Sequence, residues 1–204
     1  KKMKKILVTG KADKRVISYP LMHICNYSGK TCLITDDVNY KRLYGGYEKT
    51  GDIDNVHIEI IPPVSPDEDL SELFQEKEEY GYDILILVLD SYLADGMDLI
   101  YIIGNRIRTF MGIEIEEIME EHQNTTAFAV SLVKHPVSAG VIPFTWNIDD
   151  FVYLCTVEET RKLQPPKNKK IVELLQSTIC TSVDIPVSTY NGLSGRTKSK
   201  KKKK

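Results

Sequence analysis

The feature that most constrains this chain is ILILVL at residues 84–89, six consecutive aliphatic residues with no polar alternation. A strand with one face in water alternates apolar and polar residues, whereas an unbroken run needs apolar cover on both faces. Related runs occur at residues 5–9 (KILVT), 32–35 (CLIT), 56–61 (VHIEII), 99–103 (LIYII), 127–133 (AFAVSLV) and 141–142. Helix-length segments fall between and after them: 17–27, 66–80 with Ser65 or Asp67 as cap, 113–122, and 167–180, where Ile171, Leu174, Leu175 and Ile179 share one stripe. Strand and helix alternate. The expected class is therefore α/β, a three-layer, doubly wound, mostly parallel sheet in a single domain spanning 1–185.

Composition adds bounds. The chain has 204 residues, 42% hydrophobic and 27% charged, enough for one sizeable core. Cys25, Cys32, Cys155 and Cys180 show no C-x-x-C spacing and no histidine at metal-ligand distance, and read as reduced core cysteines. No apolar run approaches the roughly 20 residues of a membrane span, and KKMKKILVTG passes from lysines straight into a strand, so a cytoplasmic location is expected. The net charge of −2 conceals an asymmetry. Arg196, Lys198, Lys200, Lys201, Lys202, Lys203 and Lys204 carry seven positive charges, leaving 20 positive against 29 negative in the rest, a net −9. Residues 186–204 are expected to form a flexible polybasic tail, either a plain solubilising terminus or a dock for anionic membrane or nucleic acid that makes the protein a peripheral membrane one.

In doubly wound sheets ligands sit beyond the carboxyl ends of the strands, where strand order reverses. The first strand's exit reads Gly10, Lys11, Ala12, Asp13, Lys14, Arg15, followed by a helix. A helix N-terminus with Lys11, Lys14 and Arg15 beside it is a reasonable anion site, and a charged solvated loop is the alternative. The other candidate phosphate motif is Gly29-Lys30-Thr31 in NYSGKTCLITDD. A P-loop needs a glycine five residues earlier and a helix afterwards. Here Ile24 holds the earlier position and a strand follows, so this GKT reads as a turn, with Gly29 just past a helix end.

The order of these segments resembles the ParA/MinD family of deviant Walker ATPases (the SIMIBI class of P-loop NTPases) over roughly residues 3–180. GKADKRVI at 10–17 falls on the family's GKGGVGKT loop, and GKTCLITD at 29–36 on its second-strand motif. YDILILVLD at 82–90 is similar to its Y-D-x-x-I-I-D strand, MDLIYII at 97–103 to its next A-D-x-x-x-x-V strand, and AGVIPF at 139–144 to its late G-x-I-P-Y segment, followed in both by helices. The resemblance implies a nucleotide site of Gly10, Lys11, Lys14, Arg15, Asp36, Asp90, Pro143 and Phe144, a cofactor of ATP or ADP with Mg, and a homodimer formed across the nucleotide. The departures imply loss of hydrolysis. Ala12, Asp13 and Arg15 replace the loop glycines, Val16-Ile17 replaces the Lys-Thr pair, and Val88 stands where the later carboxylate belongs, with Asp90 two residues late. A backbone without small residues does not close on a phosphate, and without the Lys and hydroxyl the transferred phosphoryl loses its main charge partners. The resemblance thus implies a degenerate, pseudo-ATPase member, nearest to the TadZ/CpaE-type proteins, that binds ATP or ADP or no cofactor at all and acts as a positioning, scaffold or assembly factor with a protein partner.

Two other classes stay open. The opening ILVTGKADKRVISY also resembles enoyl-reductase-type short-chain oxidoreductases, which bind NAD and need a Lys at the fourth or seventh position after a Tyr. None of the eleven tyrosines has one, Tyr101 having Arg108 instead. A ligand-free interaction module is the other. Of the remaining residues, His23, His57, His122 and His135 do not cluster, and no catalytic residue is assigned. Asp90, Asp95 and Asp98 make either a small acidic magnesium group at a strand exit or, as the commoner alternative, a turn. Trp146 reads as core or as a stacking residue, and 114–122 as a solvated acidic helix face or a partner surface.

Overall fold

The computed structural model describes residues 2–91, 96–104, 109–110, 113–114, 126–131, 142–143 and 148–182. The protein is an α/β fold built on a mostly parallel sheet. Its strands are β1 Lys4–Gly10, β2 Thr31–Thr35, β3 Thr50–Ile53, β4 Val56–Ile60, β5 Ile84–Val88, β6 Leu99–Gly104, β9 Thr126–Ser131 and β10 Ile142–Pro143, in the order β10-β9-β6-β1-β5-β2-β4-β3. Every neighbouring pair is parallel except β3 with β4. Two further short strands, β7 Thr109–Phe110 and β8 Ile113–Glu114, pair antiparallel with each other. The helices are α1 Arg15–Cys25, α2 Ser71–Glu79, α3 Ile148–Thr160 and α4 Lys169–Ser182, with a 3-10 turn at Val38–Leu43.

The unbroken apolar runs are explained by the two faces of the sheet. In β5, Ile84, Ile86 and Val88 join the cluster that holds α1, α3 and α4, while Leu85, Leu87 and, just past the strand, Leu89 join a second cluster on the opposite face, against Leu73 and Phe74 of α2. A helix rich in buried positions completes the first cluster: from Val16 to Cys25 every residue of α1 is buried, including Pro20. The chain crosses from β1 through α1 to β2 in one direction and from β4 through α2 back to β5 in the other. Right-handed crossovers of opposite direction place their helices on opposite faces, as these two are.

Several expectations are corrected. The second helix starts at Ser71, not at Pro66. The Glu68 carboxylate accepts from the Ser65 N–H and the Asp69 carboxylate from the Ser71 N–H, so these acids close turns before the helix begins. Of the helix expected at 113–122, Ile113 and Glu114 are strand, and 115–122 lie outside the described residues. Gly29 does not end a helix in a left-handed turn, because α1 stops at Cys25; a Cβ there would meet Asp83 at 2.7 Å, and the Asp83 carboxylate accepts the Lys30 N–H. Asp98 and Asp90 do not share a site. Asp98 accepts from the Lys5 N–H at the start of β1, whereas Asp90 follows the end of β5 at the other edge of the sheet. Cys25 and Cys32 are buried free thiols, both pushed up to about 12 by burial, and Cys155 is half-buried. His122, His135, Asp95, Phe144, Trp146 and the tail from Arg196 to Lys204 lie outside the described residues.

Candidate functional site at the carboxyl edge of the sheet

Strand order reverses about β1. Its successor β2 lies two places to one side, beyond β5, while β6 lies directly on the other side. The exits of β1, β2 and β5 therefore converge where such sheets hold ligands. Gly10 ends β1 at φ +122, where a Cβ would stand 2.0 Å from the Ile103 carbonyl oxygen, so only glycine fits. Four residues, Lys11 to Lys14, then connect to α1.

This connector is closed on itself. The Ala12 N–H donates to the Ile103 carbonyl at 3.2 Å. The Asp13 carboxylate accepts from the Arg15 N–H at 3.1 Å and from its guanidinium at 2.6–3.2 Å, so it occupies the helix N-terminus where an anion would sit. The other end of the Arg15 guanidinium donates to Glu158 of α3 at 2.8 Å, and these carboxylates raise its pKa further, Asp13 most. Glu158 also accepts from the Tyr19 hydroxyl at 2.9 Å and faces Arg42 at 3.7 Å. Lys14 is drawn across the Gly10 carbonyl to Asp90, 2.5 Å away, with only 11% of its side chain exposed. The Asp36 carboxylate accepts from the Asp90 N–H at 3.2 Å. Burial raises the Asp36 pKa and the Asp90 charge adds to the rise, against the opposing Asp90 N–H and Lys14. Thr9 and Thr35 tie the strand ends together: Thr9 donates to the Ser91 carbonyl at 3.2 Å and Thr35 to that of Val88 at 2.7 Å.

Of the residues expected to form the site, Gly10, Lys14, Arg15, Asp36 and Asp90 meet at this edge. Lys11 is exposed there, and no hydrogen bond or ion pair engages its ammonium among the described residues. Pro143 is in β10, three strands away from β1. Glu158, Arg42 and Thr9 were not singled out from sequence; Glu158 lies 143 residues from its partner Arg15, and no local pattern marks it. What stays open is a shallow basin of about 390 Å³ lined by Lys11, Lys14, Arg15, Asp37, Asn39 and Arg42. Lys11 faces it without a carboxylate partner among the described residues and the largely exposed Arg42 with Glu158 at 3.7 Å, while Asp13 and Asp37 also line it, which suits weak anion contact at most. Among the described residues no group of three or more His, Cys, Asp or Glu side chains is placed to hold a metal ion, and no helix is long and apolar enough to cross a membrane.

Comparison of the chain with protein-family profiles and with curated proteins returns no match.

Proposed function

We propose that this chain is a doubly wound, three-layer fold of the ParA/MinD-like P-loop type whose phosphate loop has become a structural turn, and that it works as a non-hydrolysing scaffold or positioning factor. The observation that carries the reading is the internal neutralisation of the β1–α1 connector. Asp13 takes the helix N-terminus and Arg15, Asp90 takes Lys14, and Ile103 takes the Ala12 N–H. A working phosphate loop keeps those donors free, because phosphoryl transfer depends on positioning and electrostatics at the phosphates. Self-association and a polybasic dock for anionic lipid or nucleic acid belong to the same proposal, on the family resemblance and on the tail's charge.

The short-chain reductase reading is disfavoured by strand order. A dinucleotide fold of order 3-2-1-4-5-6 sets the second strand beside the first, where its terminal acid reaches the cofactor ribose. Here β5 stands between β1 and β2. The test is a thermal-shift and phosphate-release experiment with ATP, ADP and NAD, each with magnesium. The expected outcome is no release of phosphate and no stabilisation by NAD. Steady turnover of ATP would overturn the proposal.

A further inference from the structure

At the opposite, amino-terminal edge of the sheet lies a second and larger cleft of about 850 Å³. Its floor comes from a position that breaks the pattern of its strand. Met3 and Leu7 belong to the apolar cluster beneath α2, and Lys5, two residues from each, points to the same face. Lys5 is only 9% exposed, and its ammonium lies 4.8 Å from the centre of the Phe74 ring, beside Gly96. Among the described residues no carboxylate or carbonyl pairs with it. The neighbouring lysines differ: Lys4 faces Asp98, and Lys77, also buried, holds Glu59 and Glu76. The stem of Lys5 is covered and its ammonium opens on the cleft, where the cation–π contact is a weaker partner than a carboxylate would be. A carboxylate entering the cleft would supply the ion pair that none of the described residues supplies.

The geometry points to this cleft as a binding site for a zwitterionic ligand of net positive charge, with a carboxylate set against Lys5 and cationic groups on the rim. The rim supplies the second half of the argument. Asp67, Glu68, Asp69 and Glu78 line the opening against Lys2 and Lys5, so a simple polyanion is repelled and a ligand with cationic groups is drawn in. Pro66, Leu70, Phe74 and Met97 provide apolar wall for an aliphatic stem. A free basic amino acid and the carboxyl terminus of a basic peptide share this chemistry.

Isothermal titration of the full chain tests it with L-lysine, cadaverine, N-acetyl-trilysine as the free acid, and the same peptide as its amide. At least one carboxylate-bearing ligand is expected to bind, and its carboxylate-free counterpart at least tenfold more weakly. Binding of free L-lysine assigns a small-molecule site, and binding of the peptide acid alone assigns a chain terminus. Lys5→Met is expected to reduce binding at least tenfold. Should that variant not fold, protection of wild-type Lys5 from reductive methylation by the bound acid, read by peptide mass spectrometry, carries the same test. Binding of neither acid, equal binding of acid and amide, or unchanged methylation of Lys5 overturns the assignment.

Discussion

Removing the Asp13 carboxylate is expected to open an anion site that the protein now fills itself. Asp13→Ala deletes the acceptor of the Arg15 N–H, one residue ahead of the Lys14 cap, a loss of about 1 kcal/mol for such a hydrogen bond. It also deletes the bidentate contact with Arg15, whose partners are 24% and 34% exposed, adding roughly 0.5–1 kcal/mol. A loss of about 1–2 kcal/mol lowers the melting temperature of a chain this size by about 2–8 °C. Glu158 still holds the far side of the guanidinium, so Arg15 keeps its place and the helix N–H groups are left facing it. Inorganic phosphate should then bind, and at ten times its dissociation constant should return about 1.4 kcal/mol. The assay is thermal unfolding of wild type and variant in phosphate and in chloride at matched ionic strength, with Glu173→Ala, an exposed change of equal charge, as control. Phosphate excluded from the surface stabilises all three proteins alike, so the quantity read is the excess in Asp13→Ala. No excess, or no initial destabilisation, refutes the claim that Asp13 stands in for the anion.

Gly10→Ala is expected to destabilise by roughly 3 kcal/mol or more, because the new Cβ meets the Ile103 carbonyl at 2.0 Å in a backbone conformation that L residues avoid; a urea midpoint equal to wild type would contradict that packing. His23 is buried on α1 with no partner at Nδ1, and burial lowers its pKa against the opposing influence of the Leu163 backbone and Asp54. The unfolded chain then takes up a proton near pH 6.5 while the folded one does not, so this contribution is complete above that pH and is lost as pH falls towards the depressed folded value. Urea midpoints between pH 8 and 5 should fall less steeply in His23→Leu than in wild type, and superimposable slopes would rule the effect out.

The strands were legible because each long run is buried on both faces, so the apolar signal needs no knowledge of register. Where burial is one-sided the signal fails. β3, TGDI, contributes a single buried side chain, Ile53, and carries no apolar run to find. The start of α2 was misplaced for a different reason. Ser65, Asp67, Glu68 and Asp69 all have capping chemistry, and only the tertiary path decides that Glu68 and Asp69 close turns and leave Ser71 to begin the helix.

The candidate site divides in the same way between local and distant partners. Gly10 at the strand exit was legible from its neighbours, whereas the helix expected from 17 begins at Arg15, whose N–H and guanidinium donate to Asp13. The fate of the other cations did not follow, since Lys14 and Arg15 find Asp90 and Glu158 across 76 and 143 residues. Three basic residues in one loop look equivalent in sequence, yet their partners leave Lys11 alone facing solvent. Lys5 is the converse case. Its place between Met3 and Leu7 marks it as inward once the strand is known, but the parity carries meaning only when the opposite face of the sheet is seen to be covered by α2. A lysine with a distant carboxylate, such as Lys77 with Glu59, is a structural residue. A lysine that opens on a cleft with no carboxylate partner among the described residues is the one to which we assign a partner from outside the chain, and that difference is invisible in composition.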